Sequence, residues 1–206
     1  MHEILIPDDG NIKYAAEALG RGEAVVFPTE TVYGVGVDAR NNAAVAGLYD
    51  YKGRPKLKPL SVCYRSFEEA LEDVESDSKA LLLAEKFLPG PVTIIMKRRA
   101  DSRISLLCSA GTDTVGIRVP SDPVASALLS KLSFPLAAPS ANKSGTASPV
   151  TAQEASDSLG DDKKLIILDG GRCSLGVEST VVDLPGNRIL RIGAADPKEI
   201  ERILFV

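Results

Sequence analysis

Four cations crowd into seven residues at Lys52-Gly53-Arg54-Pro55-Lys56-Leu57-Lys58. Gly53, Pro55 and Pro59 break regular structure there, just ahead of an apolar run that starts at Leu60. A cationic loop beside a strand start is suited to gripping phosphates, and it is equally what a solvated surface turn looks like. A second segment, Pro139-Ser140-Ala141-Asn142-Lys143-Ser144-Gly145, has small side chains that let a ligand approach the backbone, with a hydroxyl and an amide as donors. A simple polar loop is the alternative. The segment also fits the S-x-x-K pattern of penicillin-recognising serine enzymes, but the S-D-N and K-T-G partners are missing from the chain.

A third segment, Pro28-Thr29-Glu30-Thr31-Val32-Tyr33-Gly34, sets hydroxyls directly after the apolar run Ala24 to Phe27. Strand ends of that kind commonly present ligand contacts in α/β proteins, and a plain β-turn is the other reading. Arg118 lies between Ile117 and Val119. On an alternating strand it either points to solvent or clamps a carboxylate at the mouth of a cleft. Gly176-Val177-Glu178-Ser179-Thr180-Val181-Val182-Asp183 completes the set of polar-then-apolar segments.

Other chemistries lack their residues. The one histidine is His2, at an end expected to fray, so neither Ser-His-Asp nor Cys-His catalysis has a base. Cys63, Cys108 and Cys173 are far apart and odd in number, which argues for reduced thiols and against zinc or a disulfide framework. Gly34-x-Gly36 is no dinucleotide fingerprint, because residue 39 is alanine, and no Walker G-x-x-x-x-G-K-[ST] occurs.

The elements that must position these residues alternate. Ile12, Ala15, Ala16 and Leu19 predict a helix capped by Asp9 or Asn11, and further helices follow over 43–51, after a Ser66/Glu69 capping box, around Leu81 to Leu88, from Pro123, after a Thr151/Glu154 box, and from Asp196-Pro197. Strands are predicted at 24–27, 35–37, 60–64, 92–96, 114–119, 136–138, 165–168 and 179–182. Several strand pairs have links too short for a helical crossover, so the sheet should be mixed rather than Rossmann-like.

The 206 residues, 44% of them hydrophobic and 25% charged, suit one compact domain spanning 1–206. A net charge of -4 leaves room only for local RNA contact. With no cationic leader and no long apolar run, the expectation is a cytoplasmic protein away from membranes.

Taken together, PTETVYG at 28–34, KGRPKLKPL at 52–60, LPGPVT at 88–93, TVGIRVP at 114–120, PSANKSG at 139–145, GVESTVVD at 176–183 and ILRIG at 189–193 resemble the YrdC/Sua5 family, in family order along almost the whole chain. The resemblance implies an α/β fold with a YrdC-like twisted mixed sheet flanked by helices and an open concave cavity, in the short form without a further C-terminal domain. It implies threonylcarbamoyl-AMP synthase activity: L-threonine, bicarbonate and ATP give threonylcarbamoyl-adenylate and pyrophosphate, for N6-threonylcarbamoyladenosine at tRNA position 37. Magnesium accompanies ATP, other proteins carry out transfer to tRNA, and direct tRNA contact is conceivable. A non-catalytic module binding tRNA or rRNA, double-stranded RNA among them, is the competing role; a hydrogenase-maturation relative would need zinc-binding and acyl-phosphatase parts that are not here.

Carried over residue by residue, the K-x-R and S-x-N signatures land on Lys52, Arg54, Ser140 and Asn142, with Lys52 and Arg54 as the catalytic charge stabilisers. Lys58, Thr114, the Val150 backbone and Arg191 resemble the other ATP-contacting positions. Thr31, Arg118 and Ser179 resemble threonine contacts, joined by Cys63 where many members carry histidine, and Tyr33 should line the same cavity. No protein metal ligand is assigned; Glu30, Asp113 and Glu178 are carboxylates whose part in a metal environment stays open.

Overall fold

The computed structural model describes residues 2–161 and 163–205. In chain order the elements are β1 (Glu3–Leu5), α1 (Asp9–Gly20), β2 (Val25–Phe27), β3 (Gly34–Asp38), α2 (Asn42–Lys52), β4 (Ser61–Cys63), α3 (Phe67–Ala70), α4 (Ser78–Phe87), β5 (Val92–Lys97), β6 (Thr114–Arg118), α5 (Pro123–Ser130), β7 (Leu136–Ala137), α6 (Ala152–Leu159), β8 (Ile166–Leu168), β9 (Thr180–Asp183), β10 (Arg188–Arg191) and α7 (Pro197–Leu204). The strands form one sheet in the order β1-β8-β2-β3-β7-β4-β6-β5-β9-β10. It is mixed, as the short links require: β2 pairs antiparallel with β3, whereas β4 pairs parallel with β6 and β5 with β9.

Strand alternation feeds two cores. Val26 packs in a cluster with Val35, Val62, Ile94 and Ile117, while its neighbours Val25 and Phe27 point the other way, against Leu19, Leu128 and Leu136. Helix starts follow local chemistry. The Thr151 hydroxyl accepts from Glu154 N at 3.2 Å, and the Glu154 carboxylate reaches back to Val150 N at 2.8 Å. Ser66 caps α3 in the same way, but only one turn forms. The cap of α1 is Asp8, whose Oδ1 accepts from Asn11 N at 2.8 Å, rather than Asp9 or Asn11.

Two edge strands were not anticipated, β1 and β10. Pairing of β1 with β8 corrects the expectation for His2: the ring is buried and its Nδ1 accepts from Leu165 N at 3.2 Å, so this residue is held. The three cysteines are free and buried. No helix among the described residues is long and apolar enough to cross a membrane.

Candidate active site

One small cavity of about 130 Å³ gathers four of the charged side chains singled out in the sequence, Arg54, Arg118, Glu178 and Arg191. Arg118 reaches it from the carboxyl end of β6, Arg54 from the loop after α2, Ser61 from the start of β4, Ser140 from the loop after β7, Glu178 and Ser179 from the entry to β9, and Arg191 from the end of β10. Enclosed ligand pockets usually exceed ~300 Å³, so this cleft can enclose part of a nucleotide and leaves the rest on its rim. A larger groove of about 450 Å³ lies between α3 and α4, where Phe67, Leu81, Ala84 and Leu88 stand among Arg65, Ser66, Glu68 and Glu85, but none of these is a residue the sequence singles out as a ligand contact.

Arg118 is buried, because β6 turns Val115 and Ile117 into one core and Gly116 and Arg118 to the opposite face. Its Nη2 donates to Glu30 Oε1 and to Thr31 Oγ1, both at 2.7 Å. The carboxylate it grips therefore belongs to the chain itself. A hydroxyl-closed turn makes the arrangement possible: Thr29 Oγ1 accepts from Thr31 N and Val32 N at 3.2 Å each and donates to Val32 O at 2.6 Å. Cys63 stands beside Arg118 in register, and burial pushes its thiol up to about 11 despite the nearby guanidinium, so it stays neutral.

On the opposite wall the Arg191 guanidinium donates to Ser179 O at 3.0 and 2.9 Å, to Ser179 Oγ at 3.2 Å and to Glu178 Oε2 at 2.5 Å. Thr93 Oγ1 lies 2.9 Å from Ser179 Oγ. Close backbone contact holds this corner, since a Cβ on Gly193 would fall 2.2 Å from Glu178 O. Arg54 donates to Lys58 O at 3.2 Å and Pro59 O at 2.7 Å, and burial lowers its basicity.

Lys52 and the 139–145 segment do come together, with a reversed polarity. The Lys52 amine is buried and donates to the backbone carbonyls of Ser140 and Asn142. Its pKa falls to about 7, first from burial and then from Arg54 and Lys143 nearby. Lys52 O accepts from Ser144 N at 2.9 Å, so the end of α2 clasps the loop. Asn142 spends its amide on Thr146 O at 2.7 Å, and its Oδ1 accepts from Ser140 Oγ at 2.5 Å, building the loop.

Thr31, Cys63, Lys52 and Asn142 stand behind the cavity wall in contact with residues that line it, and four further expected positions stand apart from it. Thr114 begins β6 at the end opposite Arg118, and Lys58 is exposed, contributing its carbonyl to Arg54. The Val150 amide is taken by Glu154 and its carbonyl by Cys173 N at 2.9 Å. Tyr33, expected to line the cavity, is fully buried with its hydroxyl on Gly171 O at 2.7 Å, because just before β3 it faces the same core as Val35 and Val37; Val32 lines the cavity instead. Glu178 lines the cavity, and Glu30 and Thr93 stand behind Arg118 and Ser179; the sequence reading gave none of the three a contact there. A buried arginine calls for a buried carboxylate, and that signal would have found Glu30. Glu30 and Glu178 are each held by an arginine, and no group of three or more His, Cys, Asp or Glu among the described residues could hold a metal ion.

The family model Sua5_yciO_yrdC, described as "Telomere recombination", matches residues 17–193. A threonylcarbamoyl-AMP synthase of Bacillus subtilis (strain 168) is 41% identical over 97% of this chain and 58% of that protein. The crystal structure of P. abyssi Sua5 complexed with L-threonine superposes with a TM-score of 0.89 at 36% identity, covering 98% of this chain and 60% of that one. E. coli YciO gives a TM-score of 0.85 at 25% identity, covering 97% and 98% of the two chains. The chain thus spans less than two thirds of the length of the first two of these relatives.

Proposed function

Because the chain belongs to the Sua5/YciO/YrdC family, we propose that it is a threonylcarbamoyl-AMP synthase acting within one domain, using L-threonine, bicarbonate and ATP in the modification of tRNA. The observation that carries this reading is the convergence of Arg54, Arg118 and Arg191 with Ser140 and Ser179 on one cleft. In type, Arg118 suits a carboxylate, and Arg54, Arg191 and Ser140 suit phosphate oxygens.

In this reading the threonine carboxylate binds at Arg118 and Thr31, with Ser179 and the neutral Cys63 thiol completing that site. The threonine amine attacks the carbon of bicarbonate, loses a proton and forms a carbamate with release of water. A carbamate oxygen then attacks the α-phosphorus of ATP, and the bond to the β-phosphate oxygen breaks, so pyrophosphate leaves with the electron pair. Arg54, Arg191 and Ser140 face the phosphoryl oxygens where charge builds up. Lys52 fixes the carbonyls behind Ser140 and adds a charge when protonated. Asn142 and the Val150 backbone shape the loops around the nucleotide, and Lys58 and Thr114 remain as outlying ATP contacts. Mg²⁺ would enter with the nucleotide, held by its phosphates.

The protein incubated with ATP, magnesium, bicarbonate and threonine should release pyrophosphate and give the adenylate by mass spectrometry. Absence of a threonine-dependent product refutes the proposal, and serine in place of threonine measures specificity. Passing the product to tRNA would require a further transfer protein, in the cytoplasm where tRNA is modified.

A further inference from the structure

We infer that Glu30 is the positioning residue of the amino-acid site: it holds Arg118 by one end of its guanidinium, so that the rest of that group is ready for a substrate carboxylate. The inference rests on the proposed function above and adds a residue to it.

Glu30 is 7% exposed and Arg118 8%, in direct contact at 2.7 Å. Burying a carboxylate is costly unless each oxygen finds a donor, and both do. Oε1 takes Arg118 Nη2, and Oε2 takes the backbone N–H of Ser121 at 3.0 Å. The Glu30 backbone is fixed as well, since its carbonyl accepts from Leu175 N at 2.8 Å. A side chain tied at both oxygens and at its own carbonyl is built in and does not act as a movable stand-in for substrate.

Arg118 is saturated on one side alone. Nη2 serves Glu30, Thr31 and, at 3.4 Å, Thr29, whereas Nε is buried and has no hydrogen-bond partner. A buried unpaired donor on a cavity-lining arginine is an uncommon expense in a folded protein. With Nε closed off from the cleft, the group left to meet a ligand's acceptor is Nη1, which donates no hydrogen bond to the described residues while Nη2 is held by Glu30 and Thr31. Without Glu30, Arg118 would lose both its neutralising charge and the contact that selects its rotamer.

Glu30→Gln tests this with little change of shape. A glutamine oxygen can serve Arg118 or Ser121 N–H, but its amide then faces the other donor, so one of the two bonds is lost whichever way it turns. Loss of a charge-assisted hydrogen bond that positions a substrate group should raise KM for threonine on the order of 10-fold or more. The KM for ATP should stay within about 2-fold, because the ATP-facing arginines do not touch Glu30. Glu30→Ala with added acetate, which replaces the deleted carboxylate, should recover part of the threonine affinity. A purely structural role would raise both KM values together and show no acetate rescue, and that outcome, or an unchanged threonine KM, overturns the inference.

A measurement on the unmodified protein covers the case in which the variants do not fold. The ¹⁵N Nε–H resonance of Arg118 should be sharp and protected from exchange before threonine is added, and should shift on adding it. A broad, rapidly exchanging signal that sharpens only with threonine overturns preorganisation by Glu30. A protein that makes no threonine-dependent product but shows the protected resonance refutes the functional reading and leaves the Glu30–Arg118 clamp standing.

Discussion

Replacing Lys52 by methionine keeps an unbranched side chain and removes the amine that joins α2 to the 140–142 carbonyls. In the folded protein Lys52 titrates at about 7 instead of 10.5, with burial as the main cause. Between those values the unfolded chain binds more protons than the folded one, so Lys52 makes stability rise with pH; the gain is complete above 10.5 and is lost as pH falls toward 7. At ~1.4 kcal/mol per pH unit the shift corresponds to roughly 5 kcal/mol at most. Above pH 9 a neutral amine still has two N–H groups for two carbonyls, so methionine should cost about 1–3 kcal/mol there through the acceptors it strands. The assay is urea unfolding of both proteins at intervals from pH 7 to 10. Taking the difference between them cancels the titration of every other group. The advantage of the natural protein should widen steadily with pH, and a difference that stays constant refutes the buried, depressed lysine. Catalysis should run the opposite way. A charge stabiliser must be protonated, so kcat at saturating threonine and bicarbonate should fall as pH rises through about 7. A flat profile would leave Lys52 with the loop-holding role alone.

Arg54→Ala frees the carbonyls of Lys58 and Pro59 at a half-buried position, so unfolding free energy should change by less than ~1 kcal/mol while kcat falls about 10²-fold. Unchanged steady-state rates would remove Arg54 from the phosphoryl site. Gly193→Ala forces a Cβ to within 2.2 Å of Glu178 O, which must push the β9 entry away from β10. Thermal unfolding should show a loss of ~2–4 kcal/mol, with ATP affinity falling too because Arg191 shifts; a near-neutral result in both would contradict the packing. Burial holds the thiols of Cys63 and Cys173 up at about 11 and that of Cys108 at about 12, so a thiol reagent at pH 8 should label none of the three until urea unfolds the chain. Rapid labelling of Cys63 in the native protein would mean that its place beside Arg118 is open to solvent.

Local chemistry was enough to find most of the elements. The Thr151/Glu154 box, Pro123 and Pro197 at helix starts, and the β-branched runs at 25–27, 92–96 and 114–118 act through neighbouring residues, and these signals survive without any tertiary context. The strands β1 and β10 escaped because each is short and irregular in pattern, and each exists through a partner far away in sequence, β8 for the first and β9 for the second. Residue type likewise marked Lys52, Arg54, Arg118, Ser140 and Asn142 as groups that carry chemistry. Orientation was the missing quantity. Only packing decides that β6 turns Arg118 inward onto Glu30, that Tyr33 enters the core while Val32 faces the cleft, and that the Lys52 amine is taken by two carbonyls. The physical reason is that charge and hydrogen-bonding capacity belong to a residue, whereas the partner that consumes them is set by chain segments brought together across the sheet.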